Sequence, residues 1–239
     1  MSMSEKVSVL RSRNGAIVQT DEYKYQGLRK MMVDRLRDSG IRDELVLSAM
    51  AFVPRQFFID ATFGEFAYRD MPFSIGCEQT ISQPATVARQ SELLEVKQGL
   101  HVLEIGTGSG YQAAVLDKMG AKVFTVERIK LLYMKSKEVL RQLAPFVECF
   151  HGDGSLGLPQ HAPFDRIVVT AAAPSIPQNI LAQLNVGGIM VVPVNNGIIP
   201  KKGEPEQQTM MKIIKTSETQ YEQQDCGMFS FVPLINSVN

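Results

Sequence analysis

The stretch Val102-Leu103-Glu104-Ile105-Gly106-Thr107-Gly108-Ser109-Gly110 decides how the rest of the chain is read. A short, mostly apolar strand runs into three glycines at alternate positions, and a helical pattern follows from Tyr111 to Met119. Glycine has no Cβ, so such a loop accepts positive φ and lets a ligand approach the backbone. The helix start beyond it presents oriented N–H donors. The spacing is G-x-G-x-G. A dinucleotide fingerprint is G-x-G-x-x-G, and Tyr111 stands where its third glycine would fall. Glu104 sharpens the distinction, because a carboxylate there repels a pyrophosphate but suits a cationic amino-acid end.

Outward from the loop, strand and helix patterns alternate. Strands are predicted at Leu100–Ile105, Lys122–Glu127, Val147–His151, Arg166–Thr170, Ile189–Val194, Thr209–Ile214 and Gly227–Leu234. Helices are predicted at Leu131–Leu143 and Gln178–Leu184. This alternation predicts an α/β fold with a doubly wound, mostly parallel, Rossmann-like sheet. Upstream, Leu28, Met31, Met32 and Leu36 recur at helical spacing within Asp21–Ser39. A second helix covers Glu44–Phe52 and stops before Pro54, and a short segment spans Gln56–Ile59. Residues 60–80 read as irregular. The run Thr80-Ile81-Ser82-Gln83-Pro84 reads as a helix entry, with Ser82 as cap and Pro84 in the first turn. Residues 1–20 read as a loose arm and 21–239 as one domain. Within it, 21–98 form a helical, substrate-side segment and 99–239 the cofactor-binding core with its C-terminal strands. Residues 195–208 read as an exposed loop.

Three acids fall at the carboxyl ends of successive strands, where open α/β sheets bind ligands. Glu104 precedes the loop, Glu127 stands where an acid accepts bonds from ribose hydroxyls, and Asp153-Gly154 falls where it would flank an adenine. With the glycine spacing, they favour S-adenosylmethionine over a nicotinamide cofactor; a generic structural glycine turn is the plainer alternative.

Composition narrows the class. Twenty-five Lys+Arg balance 25 Asp+Glu, so no overall charge attracts nucleic acid or an anionic membrane. No apolar run approaches the roughly 20 residues of a membrane span, and Met1–Gln19 lacks the apolar stretch of a signal peptide. Cys77, Cys149 and Cys226 are too scattered for a disulfide framework or a metal knuckle. These features predict a cytoplasmic chain with no metal site. His101, His151 and His161 are the only histidines and read as surface or packing residues. A sulfonium methyl is already activated, and a carboxylate of reference pKa near 4 is anionic at neutral pH. Methyl transfer to a carboxylate therefore needs alignment more than a general base.

The segment before the glycine loop is more restricted in pattern. Met71-Pro72-Phe73-Ser74-Ile75-Gly76, Gln79-Thr80-Ile81-Ser82-Gln83-Pro84 and Val87-Ala88 resemble the signature of the protein-L-isoaspartate O-methyltransferases. Phe52-Val53-Pro54-Arg55, Ala67-Tyr68-Arg69-Asp70, Val126-Glu127-Arg128-Ile129, Gly152-Asp153-Gly154, Pro163-Phe164-Asp165, Thr170-Ala171-Ala172 and Phe231-Val232-Pro233-Leu234 extend the similarity over about residues 25–235. The resemblance implies a repair enzyme using S-adenosylmethionine and releasing S-adenosylhomocysteine. It would methylate the free α-carboxylate of L-isoaspartyl residues, and D-aspartyl residues more weakly, in damaged proteins. It also implies that Ser82 is the active-site serine, orienting the substrate carboxylate rather than attacking it. Thr80 and Ile81, Gly106, Thr107, Gly108, Ser109 and Gly110, and Arg128 and Gly154 would join the three acids around the cofactor. Val232, Pro233 and Leu234 would close over the substrate, with an edge strand packed on the core as the plainer alternative. The resemblance further suggests a monomer acting on isoaspartyl proteins and peptides, with neither nucleic acid nor membrane as partner. One departure stands out: the family's usual Gly-x-Gly-Gln-Thr is here Gly76-Cys77-Glu78-Gln79-Thr80. Glu78 adds bulk and charge, and predicts a changed preference toward substrates with acidic neighbours. The rivals are a methyltransferase of the same architecture acting on a small molecule and a non-catalytic cofactor binder.

Overall fold

The computed structural model describes residues 9–12, 15, 17–198 and 206–235. In chain order the elements are β1 (Val9–Arg11), β2 (Ile17–Thr20), α1 (Tyr23–Asp38), α2 (Glu44–Phe52), β3 (Phe73–Gly76), β4 (Gln79–Ile81) and α3 (Pro84–Leu93). There follow β5 (His101–Ile105), α4 (Tyr111–Lys118), β6 (Lys122–Glu127), α5 (Lys130–Leu143), β7 (Glu148–His151), β8 (Phe164–Val169), α6 (Gln178–Leu181), β9 (Leu184–Asn195), β10 (Gln208–Lys215) and β11 (Tyr221–Phe229). Short 3₁₀ turns at Arg55–Phe58 and Ala61–Phe66 link α2 to β3.

The central sheet has seven strands in the order β11-β10-β9-β8-β5-β6-β7. β7, β6, β5, β8 and β9 run parallel, and β10 and β11 add antiparallel strands at one edge. From β5 the chain winds outward through β6 and β7, then crosses back to β8 on the other side of β5. That reversal opens a crevice at the carboxyl ends of β5 and β8, the place where such sheets take ligands.

Period-two alternation divides the buried side chains between two cores. Val102, Val123, Val168 and Val191 face the core beneath α1–α5. Leu103, Phe124, Ile167 and Met190 face the opposite core, which Ile180 and Leu181 of α6 help to cover. Each fully buried aliphatic chain of this kind stabilises the fold by about 1.5–3 kcal/mol. Among the described residues the two coverings are unequal, since five α-helices pack on one face and one short α-helix, α6, with the segment around Leu158 on the other.

The helical N-terminal segment is mounted through a buried polar network. Arg29 forks onto both carboxylate oxygens of Asp21 at 3.1 and 2.8 Å, and also donates to the Tyr68 hydroxyl. Gln56 donates to the same Asp21, and the Tyr68 hydroxyl donates to Gln56 Oε1. With partners supplied on every side, these buried groups fix the segment against the core instead of destabilising it.

Several expectations need correction. Residues 9–11 and 17–20 are not a loose arm but an antiparallel pair. Gln142 of α5 ties that pair down, accepting from Arg11 N at 3.0 Å and donating to Arg11 O at 2.7 Å. Residues 73–81 are not irregular but a hairpin, β3–β4. Cys77 and Glu78 occupy its turn at φ +55° and +58°, a conformation that favours glycine or asparagine. Thr80 and Ile81 therefore lie in a strand. Ser82 is not the cap of α3: Gln83 holds that position, with no side-chain bond, and Asp70 supplies the missing acceptor by taking the Ala85 N–H at 2.9 Å. The last strand spans Tyr221–Phe229, earlier than the predicted Gly227–Leu234. Residues 199–205 of the predicted 195–208 loop lie outside the described residues, as do 1–8 of the arm. Among the described residues no helix is long and apolar enough to cross a membrane.

Candidate active site

The crevice at the switch point holds a cavity of about 90 Å³ that opens to solvent. Its wall is the glycine loop. Gly106 has φ +98°, and a Cβ there would come within 2.5 Å of Thr170 Oγ1. The Thr170 hydroxyl lies 2.9 Å from Ile105 O and 2.7 Å from Gly106 O, which stitches the loop to the end of β8. Gly110 also has positive φ, but its bare Cα faces α5, where a Cβ would meet Leu140 at 3.0 Å.

Glu127 ends β6 and holds the loop in shape. Its Oε2 accepts the Gly108 N–H at 2.8 Å and its Oε1 the Ile129 N–H at 2.9 Å. Glu104 lies deeper and is fully buried. Thr125 donates to its Oε2 at 2.5 Å, while its Oε1 has no partner. The Thr107 and Thr125 hydroxyls lie 2.6 Å apart and share a hydrogen bond. Burial pushes the Glu104 carboxyl up to about 8, against the pull of the Thr125 hydroxyl.

Ser82 joins β4 to α3 and lines the same crevice. Arg55 fixes its backbone, donating from Nη2 to Ser82 O at 2.6 Å and from Nε to Ala67 O at 2.8 Å. Among the described residues the Ser82 hydroxyl has no hydrogen-bond partner, so it is free to turn toward a ligand. Arg55 is itself fully buried, with its guanidinium 4.6 Å from the centre of the Tyr111 ring. Desolvation lowers its pKa. No carboxylate pairs with it among the described residues.

The C-terminal segment closes one side. Ala172 N donates to Val232 O at 2.7 Å and Leu234 N to Ala172 O at 2.8 Å, so residues 232–234 lie as a short strap beside the end of β8. The structure thus brings Thr80, Ile81, Ser82, Glu104 and Gly106–Ser109 to one crevice with Glu127, Arg128, Gly154 and Val232–Leu234. Asp153 and Gly110 stand outside its lining. Asp153 turns its carboxylate onto the following 3₁₀ turn, accepting from Ser155 N at 2.9 Å and from the Ser155 hydroxyl at 2.7 Å. Sequence reasoning missed Gln90, Gln112 and Thr170, which line the crevice, and Arg55, which braces it. Of these, Thr170 and Arg55 fell in motif stretches without a role, while no local pattern marks the two glutamines. Among the described residues no His, Cys, Asp and Glu cluster can hold a metal.

The wall and floor fit an adenosyl amino acid: an open glycine loop, an acid at the end of β6, and an unsatisfied acidic oxygen at depth. The sequence model of the protein-L-isoaspartate(D-aspartate) O-methyltransferases matches residues 27–239. The chain belongs to the protein-L-isoaspartate O-methyltransferase family. A protein-L-isoaspartate O-methyltransferase of Cytophaga hutchinsonii is 50% identical over 215 residues, covering 90% of this chain and 94% of that one. Another, of Christiangramia forsetii, is 47% identical over 92% of this chain and 99% of its own. Among solved structures, a protein described as putatively of this family from Plasmodium falciparum, in complex with S-adenosyl-L-homocysteine, superposes with TM-score 0.72 at 25% identity. The match covers 87% of this chain and 98% of that one.

Proposed function

We propose that the chain transfers the methyl group of S-adenosylmethionine to the free α-carboxylate of L-isoaspartyl residues in damaged proteins, and of D-aspartyl residues more weakly, with Ser82 orienting the acceptor. The observation that carries this reading is the position of Ser82: on the cofactor crevice, its backbone clamped by a buried arginine and its hydroxyl uncommitted.

When bound, S-adenosylmethionine supplies an activated methyl electrophile. The chain's residues hold and align the two reactants. Glu127 keeps the glycine loop shaped to the adenosyl moiety and offers remaining lone pairs to ribose hydroxyls. Thr80 and Ile81, on β4, and Arg128, beside Glu127, complete the cofactor walls, with Gly154 on the same lining. The Ser82 hydroxyl donates to one oxygen of the substrate carboxylate and leaves the other aimed at the methyl. No base is needed, because the nucleophile is already an anion. A carboxylate and a sulfonium become an ester and a thioether, so charge disappears along the reaction. A crevice that excludes water therefore disfavours the charged reactants more than the transition state. Val232, Pro233 and Leu234 border the acceptor side, where an extended peptide gains backbone contacts that tolerate many sequences. Three scattered, unpaired cysteines support a reducing, cytoplasmic setting.

The test is methyl transfer from labelled S-adenosylmethionine to matched peptides, one with L-isoaspartate and one with aspartate. Base-labile label should appear on the isoaspartyl peptide alone, and Ser82→Ala should lower its rate roughly 10- to 100-fold, the weight of one hydrogen bond to a charged group. Label on small carboxylic acids but on neither peptide would replace this reading with a small-molecule methyltransferase.

A further inference from the structure

Four buried oxygens on the crevice lining lack a hydrogen-bond partner. One is the Tyr111 hydroxyl, which can itself donate and whose ring lies beside the Arg55 guanidinium. The other three are acceptors: Glu104 Oε1, Gln90 Oε1 and Gln112 Oε1. Their residues are 0%, 1% and 6% exposed. A buried acceptor left unsatisfied costs about 1–3 kcal/mol, and native structures hold few of them. Three on one lining require an explanation.

The orientation of the Gln90 amide is fixed by its partner. Gln90 Nε2 donates to Val169 O at 3.0 Å, and a carbonyl can only accept, so the Gln90 oxygen must point the other way. Gln112 Nε2 lies 2.9 Å from the hydroxyl of Ser91, the neighbour of Gln90 on α3. Val169 ends β8, two residues beyond the position that pairs with Leu103 on β5. The side chains of Gln90 on α3, Gln112 on α4 and Glu104 on β5 thus line one crevice where the sheet reverses. We propose that the side-chain oxygens of Gln90 and Gln112 join Glu104 in an acceptor cage for the α-ammonium group at the methionine end of S-adenosylmethionine and S-adenosylhomocysteine.

An ammonium carries three N–H donors and no acceptor, which matches three orphaned oxygens. The same cage repels the neighbouring α-carboxylate of the ligand, so it sets which way the methionine end lies. Glu104 supplies the countercharge. Its carboxyl, pushed up to about 8 by burial, loses its proton when the cation arrives. The amides add directed acceptors without a second negative charge, which would raise that carboxyl further. Gln90 and Gln112 are thus binding residues of the cofactor that the glycine motif does not reveal.

This inference rests on the cofactor reading above, and its test separates the two. The full chain is titrated calorimetrically with S-adenosylhomocysteine and with the analogue lacking its α-amino group. Gln90→Met keeps the length of the side chain and removes the oxygen. It should weaken S-adenosylhomocysteine about tenfold and change the desamino analogue less than twofold. Gln112→Met should behave alike; it leaves only the rotatable Ser91 hydroxyl to be satisfied, so it serves where losing the Val169 bond prevents Gln90→Met from folding. Equal weakening of both ligands would make the glutamines mere packing residues and overturn the proposal. Unchanged affinity for both would assign the orphaned oxygens to hydrating water and overturn it as well. A wild-type chain that binds neither ligand would overturn the cofactor reading itself.

Discussion

Two glutamates stand at the ends of neighbouring strands, and the structure treats them oppositely. Glu127 ends β6 with each carboxylate oxygen already taken by a backbone N–H, those of Gly108 and Ile129. Glu104, on β5 with Thr125 of β6 as its register partner, is sealed from water with one oxygen bonded and the other unsatisfied. The first is a structural brace that also faces the ligand. The second has an acceptor oxygen without a partner, which the proposal above assigns to the ligand. A binding crevice can therefore combine a wall that is finished before binding with a floor that is finished by it. On the proposed reading the wall gives preorganisation and the floor gives selectivity for a cation.

The comparison breaks most visibly at the wall. Glu127→Ala leaves two loop N–H groups without acceptors, so the free protein should lose roughly 2 kcal/mol of stability. Affinity for S-adenosylhomocysteine should fall about a hundredfold, measured by melting and titration. The floor should respond with the opposite sign in the free protein. Glu104→Gln should weaken the ligand about tenfold yet raise the melting temperature near pH 8. The sign follows from linkage. A carboxyl whose folded value lies above its unfolded value stabilises fully below the unfolded pKa. That contribution is lost as pH rises through the folded value. For Glu104 the window runs from about 4.5 to about 8, so wild type and Glu104→Gln should match near pH 4 and diverge toward pH 8, on the order of 4 kcal/mol. Equal destabilisation by both variants would erase the distinction.

The smallest effect sharpens the comparison at the rim. Glu78 sits at φ +58° in the β3–β4 turn, so Glu78→Gly should stabilise the chain by about 1 kcal/mol. If the charge also steers substrates, Glu78→Gly should raise kcat/KM for isoaspartyl peptides with acidic neighbours more than for those with basic ones. Equal change for both would leave Glu78 a strained turn residue without a role in selection.

Much of the wall was legible in the sequence because its signals are local. A strand, spaced glycines and a following helix occupy one short window, and the alternation on either side specified the parallel sheet. What escaped reading depends on residues distant in sequence. Ser82 looked like a helix cap, since serine before proline is a good one, but Asp70 reaches the Ala85 N–H from fifteen residues away. The β3–β4 hairpin was hidden because Cys77 and Glu78 are poor turn formers. The final strand was displaced because β11 is an exposed edge whose polar residues hide its period. Asp153 read as a cofactor acid, and what the local sequence did not reveal is that its Oδ1 also serves the next turn. The glutamine pair carried no signal at all, because an unsatisfied oxygen exists only once α3, α4 and β5 are packed together.

The difference between the two acids is tested most directly by counting protons. Titration of the chain with S-adenosylhomocysteine at pH 7, repeated in buffers of different ionisation enthalpy, gives the number released on binding. The account predicts release of close to one proton by the wild type and by Glu127→Gln, and none by Glu104→Gln. No release by the wild type, or release abolished by Glu127→Gln but kept in Glu104→Gln, would contradict it.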